Sequence, residues 1–135
     1  MIEKYSPQDI AAALQKVGAK VYQPTDEQSA IISIVSNPLE PAVVIAGAGS
    51  GKTETMAARV IYLVANGFAR PDQILGLTFT RKAAGELAIR IRTRLRQLRA
   101  AKLISEEISL EVAVTTYHSY AARLLAEHSI RFGID

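Results

Sequence analysis

Residues 43–53 join an apolar run to a glycine-rich turn and then to a helical pattern. Their sequence is Val-Val-Ile-Ala-Gly-Ala-Gly-Ser-Gly-Lys-Thr. Glycines at three of these positions let successive backbone N–H groups point into one concavity, which a Cβ atom would obstruct. A helix that opens at about Gly51 adds unpaired N–H groups and the positive end of its dipole. The stretch therefore predicts a loop that binds a triphosphate.

The two residues that end this loop carry its chemistry. Lys52 supplies a mobile positive charge for the terminal phosphates, and the Thr53 hydroxyl is placed to bind Mg²⁺. The general pattern begins with glycine, where this chain has Ala46, the next smallest residue. A tight turn that contains Gly-Lys-Thr by coincidence is the competing interpretation, but strand, loop and helix in register favour the triphosphate. The loop residues are Ala46, Gly47, Ala48, Gly49, Ser50, Gly51, Lys52 and Thr53.

Length and composition limit the remaining classes. At 135 residues, with 49% apolar and 21% charged residues, the chain is the size of one globular domain. The absence of cysteine excludes disulfides, thiolate metal sites and a thiol nucleophile. The longest apolar runs are too short for a membrane span, and the first residues do not resemble a secretory signal. We therefore expect a cytoplasmic protein with no membrane partner.

Positive charge is concentrated in one segment. Residues 81–102 hold eight basic residues against one acid, a net charge of +7, which leaves −4 for the rest of a chain whose total is +3. Such asymmetry suggests an anionic partner near this segment. The arginines also surround a helical stripe of leucine and isoleucine, so a solvated face of an amphipathic helix is the interpretation that we favour for most of them.

Apolar patterns alternate between strands and helices along the chain. They predict strands at 43–47, 74–79 and 112–116, with helices after Ser6-Pro7, from Thr25 to about Ser36, from the loop to Asn66-Gly67, from about Lys82, and from Ser119 to about Ile130. This order predicts a parallel α/β sheet, in which ligands lie beyond the carboxyl ends of the strands. Polar or glycine-rich segments follow all three strands, so we expect the residues that bind ligands to lie at that edge of the sheet.

Three further segments resemble motifs of one family. Residues 77–91, Leu-Thr-Phe-Thr-Arg-Lys-Ala-Ala-Gly-Glu-Leu-Ala-Ile-Arg-Ile, resemble the segment after the second strand of UvrD/Rep-type superfamily 1 DNA helicases. Thr-Thr-Tyr-His-Ser at 115–119 resembles that family's next motif, with Tyr117 where phenylalanine is usual, and Thr-Asp-Glu-Gln at 25–28 resembles its Q motif. The resemblance implies a three-layer αβα P-loop NTPase (RecA-like), incomplete here. Residues 1–24 would be an N-terminal helix and connector, and 25–135 the N-terminal part of the first motor domain.

The resemblance also implies roles for individual residues. Gln28 would read the adenine edge, although capping a helix explains it equally well. Glu54 belongs to the nucleotide-contacting set but stands where such helicases often have arginine, which weakens the expected hold on adenine. Phe79 and His118 have structural alternatives, in the core and in a turn. The implied single-strand DNA track comprises Thr78, Phe79, Thr80, Lys82, Thr116, Tyr117 and His118.

The parent protein implied by this resemblance is an ATP-dependent DNA helicase or single-stranded DNA translocase that uses ATP and Mg²⁺. Its partners would be single-stranded and duplex DNA and a second motor domain. Hydrolysis also needs an Asp-Glu pair after an apolar run and cationic residues at the γ-phosphate, and these 135 residues contain no such Asp-Glu pair. We therefore expect no turnover from them alone. The alternatives are a helicase-like subunit of a helicase–nuclease DNA-repair complex and a P-loop ATPase that does not act on DNA.

Overall fold

The structure is a computed structural model that describes residues 2–33, 42–45 and 50–131, with side chains described for 2–33 and 53–127. Within these ranges, helices and strands alternate as the sequence predicts. A single turn of 3₁₀ helix, Pro71–Gln73, precedes the second strand. The elements are α1 (Pro7–Lys16), α2 (Asp26–Ile32), β1 (Ala42–Ile45), α3 (Ser50–Ala65), β2 (Ile74–Thr78), α4 (Arg81–Ala100), β3 (Ala113–Thr116) and α5 (Tyr117–Arg131).

The three strands form a parallel sheet in the order β1-β2-β3. Ile45 at the end of β1 lies opposite Leu77, and Thr78 at the end of β2 lies opposite Thr116. The carboxyl ends of all three strands therefore meet at one edge. This register confirms the parallel α/β sheet predicted from the apolar runs.

Local sequence signals fix the ends of several helices. The Ser6 hydroxyl accepts from the Asp9 N–H and Pro7 occupies the first turn of α1, as predicted. Helix α3 ends before Gly67, whose φ of +72° is the left-handed conformation that glycine adopts most readily. Helix α2 ends at Ile32, earlier than the predicted Ser36, with Ser33 as its C-cap. The predicted first-strand positions 46 and 47 lie outside the described residues.

The predicted start of α5 at Ser119 is wrong by two residues. The helix begins at Tyr117, because the Thr116 hydroxyl accepts from the Ser119 N–H at 3.1 Å and so caps it. Tyr117 and His118 consequently lie in the first turn of α5 and not in a loop. Phe79 likewise follows β2 instead of ending it.

One apolar core joins the N-terminal helix to the rest of the fold. Ile10 and Leu14 of α1 are buried in the same cluster as Ile61 of α3 and Leu87 of α4. The predicted α4 stripe is confirmed, since its four members are buried: Leu87, Ile91, Leu95 and Leu98. The core therefore holds α1, α3 and α4 together in a fixed arrangement. None of the described helices is both long enough and apolar enough to cross a membrane.

Candidate functional site

The edge formed by the carboxyl ends of the strands contains the start of α3 and the segments that follow β2 and β3. Helix α3 begins at Ser50, five residues after the end of β1, so Ser50, Gly51 and Lys52 form its first backbone turn. Thr53 follows with a buried side chain. The four loop residues Ala46, Gly47, Ala48 and Gly49 lie outside the described residues, as does the Lys52 side chain. The backbone thus brings the start of α3 to the same edge as the ends of β2 and β3.

Gln28 caps a helix and also faces a cavity. Its Oε1 accepts from the Thr25 N–H at 2.9 Å, and the Thr25 hydroxyl accepts from the Gln28 N–H at 3.2 Å. This reciprocal pair is the predicted capping box. The Gln28 Nε2 group donates to none of the described residues. Capping therefore uses the amide oxygen and leaves the amide N–H₂ available to a ligand.

Arg59 fixes the position of the helix that carries Gln28. Its Nη1 lies 3.5 Å from the Ile31 carbonyl oxygen and 3.4 Å from that of Ile32, at the C-terminal end of α2. A guanidinium at this end of a helix meets carbonyl groups that lack intrahelical partners and the negative end of the dipole. Burial lowers the pKa of Arg59. Arg59 therefore attaches α2 to α3, the helix that contains Lys52.

A cavity of about 430 Å³ lies among α1, α2, α3 and α4. Apolar side chains of α1 form part of its wall, and Tyr22 lies at the surface with 95% of its area exposed. Sequence reasoning missed the contribution of α1, because an amphipathic helix does not show which neighbours it will contact. The polar side chains that line the cavity belong to Lys20, Tyr22, Gln28, Glu54, Thr55, Arg90 and Arg94.

Glu54 is the centre of an ion cluster in this cavity. Its carboxylate accepts from Arg90 Nη1 and, at 3.3 and 3.1 Å, from Arg94 Nε and Nη2. The predicted solvated face is wrong for Arg94, whose side chain is only 12% exposed. Arg90 and Arg94 each lie three residues after a buried stripe residue, so they flank the stripe and reach the neighbouring helix. This three-residue spacing was the signal in the sequence from which their contact with a neighbouring helix could have been predicted.

The rest of the basic segment has varied surroundings. Arg92, on the outer side of α4, pairs with Glu111 at 3.0 Å, and both side chains are substantially exposed. Arg99 donates to the Ile108 carbonyl oxygen at 2.5 Å and so holds the loop that follows α4. Arg96 is exposed. The net charge of +7 is therefore divided between internal contacts and a surface, and only part of it faces solvent.

Two aromatic rings lie together at the ends of β2 and β3. The ring centroids of Phe79 and Tyr117 are 5.1 Å apart with an interplanar angle of 36°. Phe79 is 67% exposed, which rules out the alternative that it is a core residue. The pair therefore presents aromatic surface to solvent at this edge.

The threonines of the predicted track differ in their accessibility. Thr78 is fully buried, and its hydroxyl donates to the Thr80 carbonyl oxygen at 3.0 Å. Thr116 is also buried, as the cap of α5. Thr80 is exposed and caps α4 by accepting from the Ala83 N–H at 3.0 Å. Lys82 and His118 are exposed beside them. The described conformation thus exposes Phe79, Thr80, Lys82 and His118.

A parallel sheet whose first strand leads through glycine-rich sequence into a helix is compatible with the α/β class of phosphate-loop nucleotide-binding proteins. The family model of the UvrD/REP helicase N-terminal domain matches residues 25–135. The chain therefore belongs to the UvrD/Rep helicase family.

Similar proteins include three bacterial helicases. The ATP-dependent DNA helicase PcrA of Staphylococcus epidermidis is 34% identical over 119 residues, which are 88% of this chain and 14% of that protein. The PcrA protein of Leuconostoc citreum is 37% identical over 94 residues, 70% of this chain and 11% of that protein. The ATP-dependent DNA helicase UvrD2 of Mycobacterium tuberculosis is 43% identical over 88 residues, 65% of this chain and 12% of that protein. The chain thus spans only 11–14% of the length of these relatives.

Proposed function

We propose that the protein is an ATP-dependent helicase or translocase on single-stranded DNA, and that residues 25–135 form the N-terminal part of its first RecA-like, three-layer motor domain. The observation that carries this proposal is the parallel register of the sheet. It places the start of α3 and the exposed Phe79–Tyr117 pair at one edge. A nucleotide bound at α3 would then lie close to a strand bound on the aromatic pair. The cytoplasm, where both ligands occur, is the proposed location.

The nucleotide half of the site is built around the first turn of α3. Lys52 would neutralise the β- and γ-phosphates, while N–H groups of the loop and of the helix start hold the same oxygens. The cavity beside Glu54 has the size of a small-molecule site and would take the base. The free Nε2 group of Gln28 would donate to a ring nitrogen of adenine. The triphosphate and the base would thus be held by different elements, α3 and α2.

Mg²⁺ fits this site as a partner of the nucleotide. Mg²⁺ prefers six oxygen ligands, which commonly include water and substrate phosphates. Thr53 offers one hydroxyl near the phosphates, and among the described residues no group of three or more His, Asp or Glu side chains could form a complete site. The cation would therefore take its other ligands from phosphate oxygens and water. When bound, it would offset charge that develops on the phosphates.

The DNA half of the site combines aromatic and cationic groups. Bases of a single strand would stack on Phe79 and Tyr117, a contact that tolerates any sequence because every base has a π face. Thr80, Lys82 and His118 would meet the phosphates. Thr78 and Thr116 would shape the turns that present these groups, since their hydroxyls are bonded internally. The track would therefore bind strands with little sequence preference.

Two substitutions in the full-length protein test the proposal. Lys52→Ala should reduce DNA-stimulated ATP hydrolysis on the order of 100-fold or more, because a phosphate-charge contact made in the transition state is lost. Phe79→Ala should weaken binding to oligo-dT roughly 5- to 150-fold, from a stacking contact of about 1–3 kcal/mol per base, and leave ATP hydrolysis without DNA unchanged. Lys16→Ala, at the exposed end of α1, is the control for both.

The results separate the proposal from its alternatives. Wild-type ATP hydrolysis by Lys52→Ala would refute the nucleotide site. Hydrolysis that does not respond to DNA would indicate a P-loop ATPase that does not act on DNA. We further propose that residues 1–135 alone do not hydrolyse ATP, since the carboxylates that activate water would lie elsewhere. Steady-state turnover by the purified 135 residues would contradict this.

A further inference from the structure

The polar wall of the cavity contains a guanidinium that is already held in position. Arg94 lines the cavity, and its side chain is 12% exposed. Its Nε and Nη2 donate to Glu54 Oε1, and its Nη1 donates to Gln97 Oε1 at 2.9 Å. Three of its five N–H donors are thereby engaged by oxygen atoms that approach from opposite ends of the group. A side chain held at both ends cannot turn toward a phosphate without losing these bonds.

The charge of the cluster is partly neutralised, and Lys20 adds a further positive charge to the lining of the cavity. Glu54 accepts from Arg90 as well as from Arg94, so two guanidinium groups and one carboxylate leave a single net positive charge. Arg90 is more exposed, at 41%, and makes one described ion pair. With three of its five N–H donors engaged, the group that Arg94 has left for a ligand is mainly its planar face. Guanidinium faces stack on aromatic rings and on nucleobases.

The location of the cluster indicates which ligand would reach that face. Glu54 directly follows Thr53 in the first turns of α3, so the cavity adjoins the proposed triphosphate site along the chain. Apolar side chains of α1, including Ile10 and Leu14, also line the cavity. A flat aromatic base that carries a triphosphate suits a lining made of apolar side chains and a guanidinium. The size of the cavity, about 430 Å³, accommodates a purine.

We propose that Arg94 is a nucleotide-contacting residue whose guanidinium, held by Glu54 and Gln97, stacks on the base of the bound nucleoside triphosphate. This rests on the proposed nucleotide site at α3 and names a residue that sets affinity for the base. Glu54 and Gln97 are positioning residues in this arrangement. Arg90 balances the charge of Glu54.

Arg94→Lys in the full-length protein is the central test, because lysine keeps the charge and removes the planar face. Arg92→Lys is the matched control, two residues away on α4 and paired with the exposed Glu111. Binding of ATP and of inorganic tripolyphosphate, each with Mg²⁺, is measured by displacement of a fluorescent ATP analogue. Arg94→Lys should weaken ATP binding roughly 5- to 150-fold and leave tripolyphosphate binding within about twofold of wild type, as expected for one lost stacking contact. Arg92→Lys should change neither.

Glu54→Gln provides a second measurement that does not remove the guanidinium. Glutamine keeps one oxygen acceptor but loses the negative charge and the second acceptor oxygen, so the hold on Arg94 weakens while the side chain keeps its size. ATP affinity should fall, by less than in Arg94→Lys, and tripolyphosphate affinity should be unchanged or rise, since a negative charge is removed near the phosphates. An equal fall in affinity for both ligands would instead indicate a disturbed phosphate site and would contradict the positioning role.

The outcomes distinguish this inference from the function on which it rests. Unchanged ATP affinity in Arg94→Lys overturns the stacking role, and so does an equal loss of ATP and tripolyphosphate affinity. A fall in melting temperature with parallel loss of both ligands shows that Arg94 is only a structural clamp, which also overturns it. If Lys52→Ala binds both ligands as the wild type does, the phosphate site itself is wrong and the inference fails with it.

Discussion

Asn66 ties the N-terminal segment to the end of α3, and its replacement by alanine should release that segment. The side chain is only 4% exposed. Its Oδ1 accepts from the Lys4 and Tyr5 N–H groups at 2.6 and 2.8 Å, and its Nδ2 donates to the carbonyl oxygens of Tyr5 and Tyr62 at 3.0 and 2.9 Å. One amide therefore makes four hydrogen bonds, three of them to backbone more than 60 residues away.

The expected cost follows from which partners water can reach. Each net hydrogen bond is worth about 0.5–1.5 kcal/mol. The Lys4 N–H belongs to an exposed residue and is easily hydrated, and the Tyr62 carbonyl keeps its bond from the Asn66 N–H at 3.2 Å. The N–H and carbonyl groups of Tyr5 are partly buried, so the loss of their hydrogen bonds to Asn66 makes the largest contribution to the cost. We expect about 2–3 kcal/mol for Asn66→Ala, within the range for a broken buried network.

Hydrogen exchange of the N-terminal peptide is the appropriate assay, because it reports local opening in a protein of any length. A loss of 2–3 kcal/mol corresponds to exchange of the Tyr5 amide about 30- to 150-fold faster, at about 1.4 kcal/mol per factor of ten. Gln15→Ala is the control, since this exposed amide makes one hydrogen bond, to Val21. Exchange that stays at the wild-type rate in Asn66→Ala would refute the reasoning.

Three other predictions concern packing, ionisation and capping. Gly76→Ala should cost about 1–3 kcal/mol in urea unfolding, because its Cβ would lie 3.3 Å from side-chain atoms of Leu87 and Val114, whereas Gly85→Ala, with nothing within 4 Å in mid-helix, should add about 0.5–1 kcal/mol. Burial and a hydrogen bond to Glu3 raise the pKa of Tyr62 to about 12, so the folded state keeps its proton when the unfolded state loses it near pH 10. The unfolding free energy should therefore fall between pH 10 and 12, by up to about 1.4 kcal/mol per pH unit. In Tyr62→Phe this part of the decrease with pH should be absent. The same pH dependence in the variant and the wild type would contradict the raised pKa of Tyr62. Thr116→Val should cost about 1 kcal/mol and speed amide exchange at the start of α5, while Thr115→Val should not.

Much of the fold was predictable because its signals are local. The Thr25–Gln28 capping box, the Gly67 stop and the buried stripe of α4 each depend on residues within a few positions of one another. The parallel sheet was predictable because unalternating apolar runs between helices leave few other arrangements. The start of α5 was missed although the predicted third strand ends at Thr116, because the sequence does not show that the Thr116 hydroxyl accepts from the Ser119 N–H.

The candidate site likewise combines features that the sequence predicts with contacts that only the tertiary structure shows. Sequence alone determined the phosphate-loop pattern, the family and the order of the segments that follow each strand, because each is a run of neighbouring residues. Tertiary structure decided that α1 forms a wall of the cavity, that Phe79 and Tyr117 meet, and that Arg94 is turned inward onto Glu54. These contacts join residues 38 or 40 positions apart, or separate helices. Only the packing of the core fixes which partner each residue meets, although the spacing of Arg90 and Arg94 from the α4 stripe indicated that both reach a neighbouring helix.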